Sequence, residues 1–214
     1  MQPEALKLWR KSERERLVAA RMTLDPDTLE RYRRSIDAHL ERAFPSLSRA
    51  CIAFCWPIRN EYDARHLVRQ LRERGAVTAL PVVVTRGAPL VFREWHPGIQ
   101  LAEGALGIPY PASTRAIDPE VVLLPMNGWD EHGYRLGYGG GFFDRTLASL
   151  TKKPLVLGIS YEVARIETVY PQSWDMPVDY VVTERGIYQR IRGELVFLGA
   201  AHEATAPARP SASI

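Results

Sequence analysis

The sequence predicts an α/β domain with a largely parallel sheet, and three observations carry that prediction. Short apolar runs alternate with longer stretches of helical pattern along most of the 214 residues. Runs such as Val121 to Leu124 are apolar without a break, as expected of a strand covered on both faces. That same strand feeds a glycine-rich stretch, behind which Phe142 to Leu150 has the pattern of a helix.

Residues 5–22 hold Arg, Lys, Glu, Leu and Ala without Gly or Pro, and read as a helix. On a helical wheel Leu6, Trp9, Leu17 and Ala20 share one stripe, and Lys7, Arg10, Arg14 and Arg21 form a second stripe beside it. A basic stripe along the buried edge suits a helix whose arginines reach into a neighbouring cleft. The competing reading is a solvated basic face with snorkelling stems. Asp25-Pro26-Asp27 is a cap and first turn for a helix to about Arg42. Ala50 to Trp56 is a buried strand. Asp63 to Arg74 is an amphipathic helix ended by Gly75. Val77 to Val84, interrupted by Pro81, and Leu90 to Trp95 are strands. The proline-rich segment Gly104 to Pro119 is expected to be loop, and a wall or flap near a site. Leu155 to Ser160 and Tyr180 to Thr183 are further strands. Ile187 to Arg192 and Glu194 to Leu198 form a hairpin around Gly193. Residues 1–199 are expected to make one domain, and 200–214, rich in Ala, Pro, Ser and Glu, a disordered tail.

Hydrophobic residues are 46% and charged residues 25% of the chain, an ordinary globular balance. The formal charge of +3 is too small to argue for nucleic-acid binding, and no aromatic platform accompanies the basic residues. No apolar run reaches membrane-spanning length and no signal-peptide core opens the chain, so a cytoplasmic location is expected. Cys51 and Cys55 fall on one face of a strand, roughly 13 Å apart, too far for a disulfide. They read as structural thiols. The five histidines show no ligand spacing.

The most informative stretch is Arg135-Leu136-Gly137-Tyr138-Gly139-Gly140-Gly141-Phe142-Phe143-Asp144-Arg145. Glycines let the backbone approach a ligand where no Cβ would fit. A glycine loop opening a helix presents free N–H groups and a positive dipole end, which suits phosphate. Arg135 and Arg145 flank the loop, and Asp144 offers a carboxylate for a metal on that phosphate. A tight glycine turn between two elements is the plain alternative.

This block, preceded by Pro125 and Asp130-x-x-Gly133, resembles the signature of the 5-formyltetrahydrofolate cyclo-ligase family. Weaker matches follow in family order: Arg10 and Arg14, Trp56 with Glu61, Leu80-Pro81, Gly158-Ile159, Trp174-Asp175 and Val182-Thr183-Glu184. The resemblance implies a three-layer α/β/α fold with a mainly parallel sheet, like that of sugar-phosphate isomerases and CoA transferases. It implies an enzyme using ATP and Mg2+ to convert 5-formyltetrahydrofolate, with or without a polyglutamate tail, to 5,10-methenyltetrahydrofolate. A monomer without nucleic-acid or membrane partners is expected. By the same resemblance Arg10, Arg14 and Arg135 to Phe143 bind ATP, and Arg135 and Asp144 are catalytic. Asp144 and Asp175 hold magnesium. Glu61 accepts from the pterin, with Trp56, Tyr138 and Phe142 as its walls. Each has a plainer reading: Asp144 as a dipole partner, Asp175 as a turn cap, Glu61 as an N-terminal helix residue, Trp56 and Phe142 as core.

The chain departs from the family pattern at Arg10, usually Lys, and at Phe143, usually Tyr. It departs again at Met126-Asn127-Gly128-Trp129 and at Ala164, where Gln is frequent. These changes bear chiefly on the folate half, so the alternative is a relative that binds ATP but acts on another substrate.

Overall fold

The computed structural model describes residues 2–104 and 107–200. Helix α1 spans Pro3–Met22 and α2 spans Pro26–Ala43. The Asp25 side chain accepts from the Thr28 N–H at 2.8 Å, which is the N-cap expected from its position before Pro26. Strand β1 (Cys51–Phe54), α3 (Arg65–Glu73), β2 (Val77–Val82) and β3 (Val91–Trp95) follow. Pro81 is tolerated in β2 because it falls beyond Ala79, the last residue in register with β1.

Residues 104–119 are not all loop. Strands β4 (Leu101–Glu103) and β5 (Pro109–Pro111) pair antiparallel. The segment after them is tied to β3, where Ile117 N donates to Phe92 O at 2.9 Å and Thr114 Oγ1 to Glu94 O at 2.8 Å. Pairing overrides the proline signal here because Pro109 and Pro111 lie in a short two-stranded ribbon with one free edge. Then come β6 (Val121–Pro125), β7 (Gly128–Trp129), β8 (Arg135–Leu136), α4 (Phe142–Ser149), β9 (Leu155–Ile159), β10 (Tyr180–Val182), β11 (Ile187–Ile191) and β12 (Glu194–Gly199). The β11–β12 turn places Arg192 (φ 52) and Gly193 (φ 95) in the left-handed region, as a two-residue hairpin turn requires. The tail expected from position 200 lies, but for Ala200, outside the described residues.

The main sheet has the order β12-β11-β10-β9-β6-β1-β2-β3. Its central strands, β10, β9, β6, β1 and β2, are parallel, and the flanking pairs are antiparallel. Strand alternation divides the core into two layers. Ile52, Phe54, Leu123, Leu157 and Val182 point to the face covered by α2 and α3. Ala53, Ala79, Val122, Leu124 and Val181 point to the face covered by α4. This is the three-layer α/β/α arrangement. Val121 to Leu124 are all buried, each worth about 1.5–3 kcal/mol on transfer from water, so β6 is the spine of the sheet. Among the described residues no helix is long and apolar enough to cross a membrane.

Candidate active site

In an open parallel sheet, ligands bind beyond the carboxyl ends of the strands where the strand order reverses. That point lies between β1 and β6: the chain runs outward from β1 to β2 on one side and from β6 to β9 and β10 on the other. The loop after β1 carries Glu61. The chain after β6 makes the β7–β8 ribbon and then the glycine loop. The site is therefore made where two distant stretches of sequence leave neighbouring strands.

The glycines are needed for different reasons. Gly139 (φ 89) and Gly141 (φ 62) sit in the left-handed region, and Gly141 is the N-cap of α4. At Gly140 a Cβ would lie 2.7 Å from the Phe142 ring, so close approach excludes one. Among the described residues, no main-chain N–H from Gly137 to Gly141 donates a hydrogen bond within the protein. The loop is thus a row of open donors at a helix N-terminus, which suits an anion.

Helix α1 docks its basic stripe on this loop, as the edge placement of the stripe predicts. A Cβ at Gly128 would meet Leu17 Cδ1 at 2.6 Å, so only glycine there lets α1 lie so close to β7. Leu17 packs with Leu136 and Val169 in a small core of its own. Arg14 Nε donates to Gly137 O at 2.5 Å. Arg10 donates to Val169 O (3.1 Å), Tyr170 O (2.8 Å) and Asp175 Oδ2 (2.6 Å). Burial, with the Arg10 charge added, pulls the Arg14 pKa below the ordinary guanidinium value. Two crowded cations beside open amides form a strongly anion-attracting corner. Lys7 is exposed and takes no part.

Arg135, nearly buried, donates to Met176 O and, at 2.9 Å, to Asp144 Oδ1. Asp144 Oδ1 also accepts from Met176 N at 3.0 Å. Asp175, the preceding residue, accepts from Gln172 N at 2.8 Å as well as from Arg10. Asp144 and Asp175 thus converge on one short segment, each against a guanidinium. Asp175 does cap a turn, and it faces Arg10 besides. Among the described residues no group of three or more His, Cys, Asp or Glu could hold a metal ion.

Across the switch point Glu61 is buried. Its Oε2 accepts from Ile58 N at 3.1 Å and its Oε1 from the Tyr138 hydroxyl at 2.8 Å. Burial raises its pKa above the usual carboxylate range, opposed chiefly by the Arg21 charge. The same surroundings push Tyr138 up to about 12, burial first and then Glu61. Arg21, read from the sequence only as part of a stripe, turns out buried beside this pair. Glu61 also lines a cleft of about 360 Å3 with Leu29, Ile58, Arg59 and Tyr161. Trp56 is half-buried against the core with the Arg65 guanidinium 4.7 Å over its ring, so one of its faces is already taken. Phe142 lies against Gly140 and carries Arg145 at 5.3 Å, which spends its ring on the glycine loop. Both cysteines are free, and burial raises both thiols.

The departures from the family pattern lie mostly away from the cleft. Trp129 is fully buried, donates its Nε1–H to Tyr161 O at 3.2 Å and shares a core cluster with Ala164 and the partly buried Phe143. These are packing residues, not folate walls. Asn127 differs: it is 2% exposed, and neither its Oδ1 nor its Nδ2 has a hydrogen-bond partner among the described residues. An unmatched buried amide costs about 1–3 kcal/mol. Asn127→Leu, close in volume, is expected to raise the urea midpoint by a matching amount; a lower midpoint would show the amide to be satisfied.

Fold and loop together place the chain among α/β enzymes whose site lies at the carboxyl edge of a parallel sheet. A model of the 5-formyltetrahydrofolate cyclo-ligase family matches residues 6–184, and the chain belongs to that family. The 5-formyltetrahydrofolate cyclo-ligase of Escherichia coli (strain K12) is 33% identical over 137 residues, covering 61% of this chain and 75% of the relative. That of Mycolicibacterium smegmatis is 31% identical over 141 residues, covering 61% and 72%. The NMR structure of Aquifex aeolicus 5,10-methenyltetrahydrofolate synthetase superposes with a TM-score of 0.73 at 25% identity, covering 86% of this chain and 93% of that one.

Proposed function

We propose that the chain converts 5-formyltetrahydrofolate to 5,10-methenyltetrahydrofolate with cleavage of ATP to ADP and phosphate. The observation that carries this reading is the hydrogen bond from Tyr138 to Glu61. It puts a row of open amides within one side chain of a buried carboxylate. A phosphoryl donor held by the first would then lie beside a pterin held by the second, as direct transfer requires.

The amides of Gly137 to Gly141, with Arg10, Arg14 and Arg135, bind the triphosphate. Arg135 faces the transferring group and neutralises its charge in fork geometry. The pterin, whose ring N–H and amino groups are donors, meets Glu61 as acceptor. Ile58, Leu29 and Tyr161 serve as walls of the cleft, with Trp56 at its edge. The formyl oxygen attacks the γ-phosphorus and ADP leaves. The second folate nitrogen then attacks the activated carbon, and the C–O bond breaks to release phosphate. The tail of the folate, with or without further glutamates, points to solvent, and the enzyme acts as a monomer.

The residues present fit a magnesium ion. Asp144 and Asp175 offer hard carboxylate oxygens on one segment, each now facing a guanidinium, and Mg2+ needs only one or two carboxylates besides phosphates and water. These two would hold it, and when bound it supplies charge neutralisation on the β- and γ-phosphate oxygens. The alternative of a different substrate loses support because Trp129, Phe143 and Ala164 are packing residues. The test is direct: protein, ATP, Mg2+ and 5-formyltetrahydrofolate are expected to generate the absorbance of methenyltetrahydrofolate in step with ADP. Folded protein that produces neither would remove the reading.

A further inference from the structure

Arg21 stands in the last turn of α1, its side chain 4% exposed, as is that of Glu61. Its Nε donates to Arg59 O at 2.8 Å and its Nη2 to the Tyr138 hydroxyl at 3.2 Å; the nearest Glu61 oxygen is 3.8 Å away. A guanidinium can only donate. The Tyr138 oxygen is therefore used as an acceptor by Arg21, and its own proton is free to go to Glu61 Oε1 at 2.8 Å. Ile58 N–H supplies Oε2. Both carboxylate oxygens are thereby committed as acceptors, which is the state that a ligand bringing two N–H donors requires. The direction of every bond in this chain starts from Arg21.

We infer that Arg21 is the positioning residue that holds Glu61 as a charged acceptor and so sets the lower pH bound of folate binding. This rests on the reading of Glu61 as the pterin acceptor.

The groups facing Glu61 support it. From the end of β1 comes Cys55, from the glycine loop Tyr138, and from the turn after β9 Tyr161; burial raises all three, so they stay neutral through the working range. Arg59, on Glu61's own loop, is exposed, where solvent screens its charge. Across the cleft Glu30 and Arg33 of α2 pair with each other at 2.7 Å, and Asp63 pairs with Arg65 at 2.7 Å, with His66 3.9 Å from it. Arg21 is the buried, permanently charged group acting on Glu61. The sign follows: burial has raised the pKa of Glu61, so binding that needs the carboxylate is lost as pH falls through that value. Taking away Arg21 raises it further and moves the loss towards neutral pH.

The experiment titrates 5-formyltetrahydrofolate into the protein without nucleotide, by calorimetry, from mildly acid to mildly alkaline pH. In wild-type protein affinity should fall only at the acid end. Arg21→Gln should lose about tenfold or more at neutral pH, the equivalent of one pKa unit, and regain affinity as the solution is made alkaline. Arg21→Lys, which keeps the charge, should stay near wild type. His66 is common to all these proteins, so a difference between them is not its titration. A loss in Arg21→Gln that is equal at every pH, or no loss, overturns the role. Should Arg21→Gln not fold, Tyr138→Phe breaks the same chain and is expected to shift the acid limb in the same direction; an unmoved limb there also overturns it. Glu61→Gln separates the two readings. If it binds folate like wild type, the pterin assignment falls. If it loses binding while Arg21→Gln keeps the wild-type pH profile, only the role of Arg21 falls.

Discussion

Replacing Asp144 by alanine is expected to lower turnover by about a thousandfold or more, the several kcal/mol that a metal-held charge contributes to a phosphoryl transition state. Its carboxylate is the acceptor for both Arg135 and Met176 N, so alanine also loosens the wall on which Asp175 stands. Asp144→Asn separates the two contributions. The amide oxygen still accepts from Met176 N at the same place, but the negative charge is gone. Turnover should stay near the alanine level while the melting temperature stays near wild type. An asparagine variant that turns over at half the wild-type rate would show that Asp144 only braces Arg135.

The largest expected loss of stability is at Asp130. This carboxylate is fully buried; Oδ1 accepts from His132 N at 3.1 Å and Tyr134 N at 3.0 Å, and Oδ2 from Val169 N at 3.0 Å. It closes the turn between β7 and β8 and ties that ribbon to the segment under α1. Asp130→Ala leaves all three donors unmatched and is expected to cost about 3–5 kcal/mol, read as a fall in the urea midpoint. Asp130→Asn should fall between: Oδ1 keeps its two donors, while Nδ2 meets Val169 N as donor against donor. A midpoint unchanged in the alanine variant would falsify this account. Since Arg135 and the glycine loop start from β8, the surviving folded fraction should also show a raised KM for ATP.

Asp130 shows where sequence reading stops. It stands in the most specific block of the chain, yet nothing local reveals what it holds, because Val169 is 39 positions away. Residues 101–111 misled in the opposite sense, since prolines that argue for loop were absorbed by an edge ribbon. Trp129 and Ala164 looked like changes to the folate side, and three-dimensional packing put them together in the core.

What the sequence determined by itself was local: the alternation of strands and helices, the Asp25 cap, the glycine loop and the basic stripe on α1. Each depends on residues within a turn or two of one another, so spacing alone expresses it. What the tertiary structure decided was which distant groups share one low-dielectric space. Arg21 and Tyr138 are 117 positions apart and Tyr138 and Glu61 77, and they meet only because β1 and β6 are neighbours in the sheet. The charge state of a buried carboxylate depends on those neighbours far more than on its place in the chain.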